Sequence, residues 1–480
     1  NTFLSPFHFD DGNYITNNIP IRLMWFKGMW DFFPSRFVTL LTFAVNYHFG
    51  GLDVFGYHAV NLAVHLSAAL LVWWLVKIIF SSPGMKENEL SKFSRIIAFF
   101  TAAIFLAHPA QTESVTYIWQ RCSCLSGLFY LFSLSFYLKS RVLEAGAIRQ
   151  TRRRIFYSLA FVSALLGMFT KENIITLPVM LFLCEFYFIG RDKRIGLKRV
   201  LPFLLLLPVI PAILLLTKPE TFKALQLMAV RPDTAPLHYF FTQLRVLITY
   251  IRLLFIPVNQ NLDYDYELSK SLASPPVFLS LILLILIIAA AIKMFPRRRL
   301  LSFAIIWFFL TLLPESSIIP IDDLIFEHRL YLPVFGYGLF LTCGLCYLFK
   351  SKQSKVIIVI LSLLVISYSV MAYLRNSVWR SELTLWSDVV RKTAHKARPY
   401  INLGIIYGSK AEYDKAIFDF NKAIEIDPGS ALAYYNRAVA YNAKGKYINA
   451  WEDVHKAESL GHKIPRDFLE KLKKASGREK

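Results

Sequence analysis

The residues best suited to chemistry are the adjacent carboxylates of Phe7-His8-Phe9-Asp10-Asp11-Gly12, at the N-terminus and ahead of a long series of apolar segments. Two such carboxylates can accept a proton or hold a cation. Beside an aromatic, membrane-edge sequence an acidic pair is costly unless it works or is paired. Read alone, Asp-Asp-Gly is also a turn, with Asp10 or Asp11 capping the next helix. Further polar residues interrupt apolar sequence: His108-Pro109 with Glu113 and Arg121, Lys171-Glu172-Asn173, Asp263 with Asp265, and Asp322-Asp323 with Glu327-His328-Arg329. Singly, His108-Pro109 ends a helix, Lys171-Glu172 is a local ion pair, and Glu327 and Arg329 anchor a helix end. Their joint placement with Asp10 and Asp11 favours a site.

The elements that must position these residues are membrane helices. The chain has 480 residues, 55% of them hydrophobic and 15% aromatic, with a mean hydropathy of +0.43. That is too apolar for a soluble enzyme of this length and fits an integral membrane protein. The net charge is +21. It falls in short clusters between apolar runs, as in cytoplasmic membrane loops, so nucleic acid is not the expected partner. Apolar runs lie at 55–80, 95–107, 115–138, 155–170, 174–190, 199–217, 276–294, 300–318, 331–349 and 355–374. The aromatic-rich stretch 14–54 reads as a loop with interfacial helices. The chain starts at Asn1, and a first transmembrane helix is expected to precede it. Cys122, Cys124, Cys184, Cys343 and Cys346 all fall in apolar segments and read as core thiols, with no metal-ligand spacing.

Charge orients the helices. The clusters are Lys86/Lys92/Arg95, Arg141/Arg149/Arg152/Arg153/Arg154, Arg191/Lys193/Arg194/Lys198/Arg199, Arg297/Arg298/Arg299 and Lys350/Lys352/Lys355. All five fall inside if residues 1–54 are outside and the segment 238–257, with Arg245 and Arg252, does not cross. The polar interruptions then gather on the outer side.

After Leu374 the character changes. Residues 375–396 read as a linker and a degenerate repeat helix. Tyr400, Leu403, Gly404, Tyr407, Ala416, Phe420, Ala423 and Pro428 have the spacing of a 34-residue tetratricopeptide repeat. A second copy carries Tyr434, Ala438, Tyr441, Ala450 and Ala457, with Arg437 in place of Leu. Residues 465–480 read as a polar cap helix. The fold expected is therefore all-α: a polytopic membrane domain at 1–374 and a short repeat domain at 397–480, on the outer side.

These residues resemble the transmembrane and tetratricopeptide-repeat (TMTC) O-mannosyltransferases and their bacterial relatives, within the GT-C glycosyltransferases. The resemblance rests on Phe9-Asp10-Asp11, Leu41-Thr42 with Asn46 and Gly51, Gly56-x-His58 with Asn61 and His65, and His108-Pro109 with Glu113 and Arg121. It continues through Lys171-Glu172 with Pro178 and Glu327-x-Arg329-x-Tyr331-Leu332-Pro333, and ends on the repeats. It implies an inverting transferase that uses a polyprenyl- or dolichyl-phosphate sugar on the non-cytoplasmic face. Asp10 or Asp11 would be the catalytic base. Arg121, Lys171 and Arg329, with Arg245 as an outsider, would meet the donor phosphate. His108, Glu113, Glu172 and Glu327 would support them. No divalent metal or other cofactor is expected. The acceptor would be a protein held by the repeats, and the membrane that of a bacterial inner membrane or the endoplasmic reticulum. Two other classes are a non-catalytic scaffold, which needs no outer carboxylate pair, and a transporter, which expects charges deep within helices and inverted repeats.

Overall fold

The computed structural model describes residues 2–146, 150–190, 193–217, 236–317, 320–321, 323–349, 353–393 and 395–477. Of the charges named above, Arg149, Arg191, Asp322, Lys350 and Lys352 lie outside the described residues, as do the side chains of Lys193 and Arg194. The described residues form helices and turns with no strand. The chain divides into two compact units, Asn1–Gln260 with Glu267–Ser377, and Asn261–Tyr266 with Val378–Lys480.

In the first unit, short helical segments over residues 12–36 lead into α1 (Phe37–Gly50), α2 (Val54–Ser81), α3 (Ser94–Ala107), α4 (Gln111–Thr116), α5 (Arg121–Ala145), α6 (Gln150–Gly167) and α7 (Leu177–Cys184). Then follow α8 (Lys193–Leu204), α9 (Val209–Thr217), α10 (Pro236–Phe255), α11 (Pro275–Met294), α12 (Arg299–Leu312), α13 (Pro333–Leu348) and α14 (Ser354–Val378). Among the described residues seven helical segments are long and apolar enough to cross a membrane: 54–81, 89–107, 118–145, 172–189, 196–213, 275–294 and 354–378. The runs expected at 300–318 and 331–349 form the shorter apolar helices α12 and α13. Pro314 follows one and Pro333 starts the other, where a missing N–H interrupts the helical ladder. Most of the run at 155–170 lies in α6, which carries Arg152, Arg153 and Arg154 near its start.

Burial ranks these helices. The span containing α5 is 72% buried, whereas those of α11 and α14 are 17% buried although both are apolar all round. A helix of that composition is stable with its sides in lipid, because its backbone groups are paired internally. The serines of α5 at 123, 126, 133, 135 and 140 are buried, and small residues let neighbouring helices approach closely. Gly127 takes this furthest: a Cβ there would lie 2.4 Å from the ring of buried Tyr331. That contact seats the turn Glu327–Leu330 beside the start of α5.

In the second unit, α15 (Glu382–Lys392) opens with a capping box between Ser381 and Thr384. The pairs α16 (Ala397–Ser409) with α17 (Tyr413–Ile426), and α18 (Ala431–Ala443) with α19 (Tyr447–Ser459), precede α20 (Arg466–Ser476). Arg437, out of pattern as a repeat residue, is held by both oxygens of Asp453 at 2.8 and 2.6 Å. The fork-to-carboxylate pair replaces the apolar contact a leucine would make. The segment 261–266 joins this unit, with Asp263 bonded to Lys396 and Arg398 at 2.7 Å each.

Candidate functional site

The N-terminal turn separates its two carboxylates. Asp11 is fully buried. Its Oδ2 accepts the N–H of His8 at 2.8 Å and its Oδ1 the N–H of Trp119 at 2.7 Å. Oδ2 thus closes the turn on itself, and Oδ1 ties it to the link between α4 and α5. Phe9 sits at φ +48°, a left-handed backbone that a bulky residue adopts only when its surroundings force it. This kink leaves Asp10 partly exposed, and its N–H donates to the Tyr117 hydroxyl at 2.9 Å.

Burial pushes the Asp11 carboxyl up to about 8, against the pull of the His8 and Trp119 amides, and Asp10 adds to the rise. A carboxyl raised in the fold above its ordinary 3.8 holds its proton longer there than in the unfolded chain. Its contribution is therefore complete below 3.8 and is lost as pH rises to about 8. The melting-temperature advantage of wild type over Asp11→Asn is expected to shrink across that window and to stay level above it.

A file of ionisable groups runs from Asp10 into the unit. Tyr14 stacks on Trp119 at 4.1 Å. Burial and then the Asp10 charge push its phenol up, with Arg36 opposing. Arg36 lies over the Phe33 ring at 4.7 Å and the Trp119 ring at 5.5 Å. It donates to Glu172 at 3.1 Å, whose other oxygen accepts from Ser35 at 2.7 Å. The next residue, Lys171, is buried and pairs with Glu315 at 2.7 Å while donating to Ser123 at 3.1 Å. Burial alone would raise the Glu315 carboxyl, but Lys171 and Arg329 hold it below its ordinary range.

Arg329 donates to the carbonyls of Asp323 and Leu324 at 2.7 and 3.0 Å. Its neighbour His328 meets Glu113 through Nδ1 at 2.6 Å, and the other Glu113 oxygen accepts the Glu327 N–H at 3.0 Å. Glu327 accepts from Gln260 at 2.5 Å. Burial, then the charges of Lys171, Arg329 and Arg36, keep His328 well below its usual range and so neutral. Burial and then Glu327 hold Glu113 well above its own. Three cations thus act on one buried imidazole.

Three expected residues lie elsewhere. Arg121 is wholly buried, and each of its nitrogens donates inward: Nε to Asn61 at 2.6 Å, the others to Asn46 at 2.6 Å and to the Tyr57 carbonyl at 3.0 Å. It ties α1, α2 and α5 together, with its donors taken up inside the fold. His108 donates from Nε2 to the Leu254 carbonyl at 2.9 Å and accepts the Ala110 N–H on Nδ1 at 3.2 Å. It closes the end of α3 and does not join the cations. Arg245 points to Ser269 at 2.9 Å. On α10 the helical period puts it on a different side from Tyr239, Gln243 and Tyr250, whose polar atoms bond to residues 315, 324 and 326. Among the described residues no group of three His, Cys, Asp or Glu is placed to hold a metal.

A tetratricopeptide-repeat profile matches residues 397–430, and a second matches 420–452. The protein O-mannosyl-transferase F38B6.6 of Caenorhabditis elegans is 27% identical over 88% of this chain. Protein O-mannosyl-transferase Tmtc3 of Drosophila melanogaster is 25% identical over 88% of it, and human TMTC3 is 22% identical over 96%. The chain is similar to these O-mannosyl-transferases over most of its own length. It spans 60%, 52% and 53% of those three relatives' own lengths. No solved structure matches it.

Several groups in the site were not singled out from sequence: Tyr14, Arg36, Tyr117 and Glu315. Glu315 carried a signal, being the sole acid in the apolar run 300–318, where a charge marks function or a partner. Arg36 sat among the interfacial aromatics and carried none.

Proposed function

We propose that this chain is a membrane glycosyltransferase that moves a mannose-like sugar from a polyprenyl- or dolichyl-phosphate donor to a protein hydroxyl on the non-cytoplasmic face. The observation that carries this reading is the file from partly exposed Asp10 through Tyr14 to Arg36, Lys171 and Arg329. Asp10 takes the acceptor proton as the new bond to the anomeric carbon forms. The bond from that carbon to the phosphate oxygen breaks on the opposite side, and polyprenyl phosphate leaves. Lys171, Arg329 and Arg36 meet the charge of that phosphate. Glu172, Glu315 and the His328–Glu113 pair hold the cations in place. Asp11 shapes the turn. The donor is a co-substrate, and the repeats hold the acceptor protein, a role suited to stacked helix pairs.

The names of the relatives support a transferase, and the apolar helices support a membrane setting. The arrangement requires Asp10 and the repeats on one side and the basic loops on the other. Single cysteines placed at 142–146 and at 431–443 in an otherwise cysteine-free protein are expected to react with a membrane-impermeant maleimide from opposite sides. Labelling of both from the same side would overturn the topology and the outer placement of the site.

A further inference from the structure

A cavity of about 970 Å³ lies far from Asp10, bounded by the end of α2, the 83–88 loop, the end of α5, Ile189 and the turn 296–299. Three spans have one end at each place. The 54–81 span starts by Tyr57, whose ring meets Phe7 of the N-terminal turn at 5.3 Å, and ends at Ser81 on the cavity. The 118–145 span starts with Trp119, bonded to Asp11, and ends with Arg141, Glu144 and Ala145 on the cavity. The 172–189 span starts at Glu172 and ends at Ile189. At 1.5 Å per residue the first is about 42 Å long, more than the roughly 30 Å of a hydrocarbon core. Site and cavity therefore sit at opposite membrane boundaries.

The cavity's charges do not balance. Arg141 is buried and already paired, with Glu185 at 2.5 Å and with Glu144. Glu144 is shared further with Arg153 and Arg199. That leaves Lys86, Arg297 and Arg299 on the lining against Glu87 alone. Among the described residues no carboxylate forms an ion pair with these three cations. Arg298 turns away over the Tyr347 ring at 5.3 Å, while Arg299 is steadied over the Phe295 ring at 5.6 Å. Like charges facing one concavity raise its affinity for an anion, and guanidinium forks match phosphate oxygens. We propose that this cavity binds a phosphate group, presented by an anionic lipid headgroup at that boundary or by a phosphate-bearing solute.

The test uses the intact protein in nanodiscs of phosphatidylcholine with a fixed fraction of phosphatidylglycerol, counting retained lipid by native mass spectrometry. A parallel titration uses inorganic phosphate in pure phosphatidylcholine discs. The cavity triple variant is Lys86→Gln/Arg297→Gln/Arg299→Gln. A control triple, Lys92→Gln/Arg95→Gln/Lys293→Gln, removes three exposed cations that do not line the cavity. Each charge-assisted contact to a bound phosphate changes affinity several-fold, so the cavity triple is expected to lose about tenfold or more while the control, outside the cavity, changes by less than about twofold. Loss of phosphatidylglycerol retention identifies the lipid source; loss of inorganic phosphate binding alone identifies the solute. If the cavity triple does not fold, Arg297→Gln at an exposed position is expected to weaken the same ligand by about threefold. Equal losses in both triples, or wild-type protein that neither prefers phosphatidylglycerol nor binds phosphate, would overturn the site.

Discussion

Asp10→Asn is expected to lower turnover by about 10²–10⁴-fold while leaving donor binding and melting temperature close to wild type. The acceptor hydroxyl is far too weak an acid to ionise at neutral pH, so a carboxylate helps only as charge develops in the transition state. Asparagine keeps the shape and cannot take the proton. The neighbouring substitution behaves differently. Asp11 uses both oxygens to accept backbone amides, and asparagine can accept only one of them. The stranded amide costs about 1–3 kcal/mol, so Asp11→Asn lowers stability first and activity through the displaced turn. Parallel measurement of initial rate, donor binding and thermal unfolding separates the two. Equal loss of turnover with no loss of stability in both variants would remove the distinction drawn between them.

Lys171 carries the second large effect. Lys171→Met is expected to destabilise the membrane unit by about 3–5 kcal/mol, because a broken buried pair leaves the partner's charge uncompensated. The partner is Glu315, whose second carboxylate oxygen has no hydrogen-bond partner among the described residues. Adding Glu315→Gln removes the stranded charge and is expected to restore most of the lost melting temperature. Donor affinity is expected to stay weak in the double variant, by about tenfold or more, since a charge-assisted contact to phosphate is gone. Rescue of both stability and donor affinity would make Lys171 a purely structural residue.

Much of the fold was legible because its signals are local. Long apolar runs, clustered loop charges and the spacing of Tyr400, Gly404, Ala416 and Phe420 need no tertiary information. The bounds of the shorter apolar helices at Pro314 and Pro333 were less so, because hydropathy runs through the prolines that delimit them. The site was legible only in part, because its contacts join distant segments: Arg36 to Glu172, Lys171 to Glu315, Glu113 to His328. A polar residue in apolar sequence looks the same whether it faces a ligand or satisfies the interior. Arg121 and His108 do the latter, on amide and carbonyl oxygens that no spacing announces. Gly12 hinted that Asp11 shapes the turn and so favoured Asp10 as the base, but the Trp119 amide that holds Asp11 lies more than a hundred residues away.

The most direct measurement incubates the purified, membrane-embedded protein with polyprenyl-phosphate mannose and a serine- and threonine-containing acceptor. Hexose on the acceptor is read by mass spectrometry and released polyprenyl phosphate by chromatography. The account predicts one polyprenyl phosphate released per hexose transferred, and no transfer when a nucleotide sugar replaces the lipid donor. Absence of hexose on the acceptor with the lipid donor, or transfer directly from the nucleotide sugar, would contradict it.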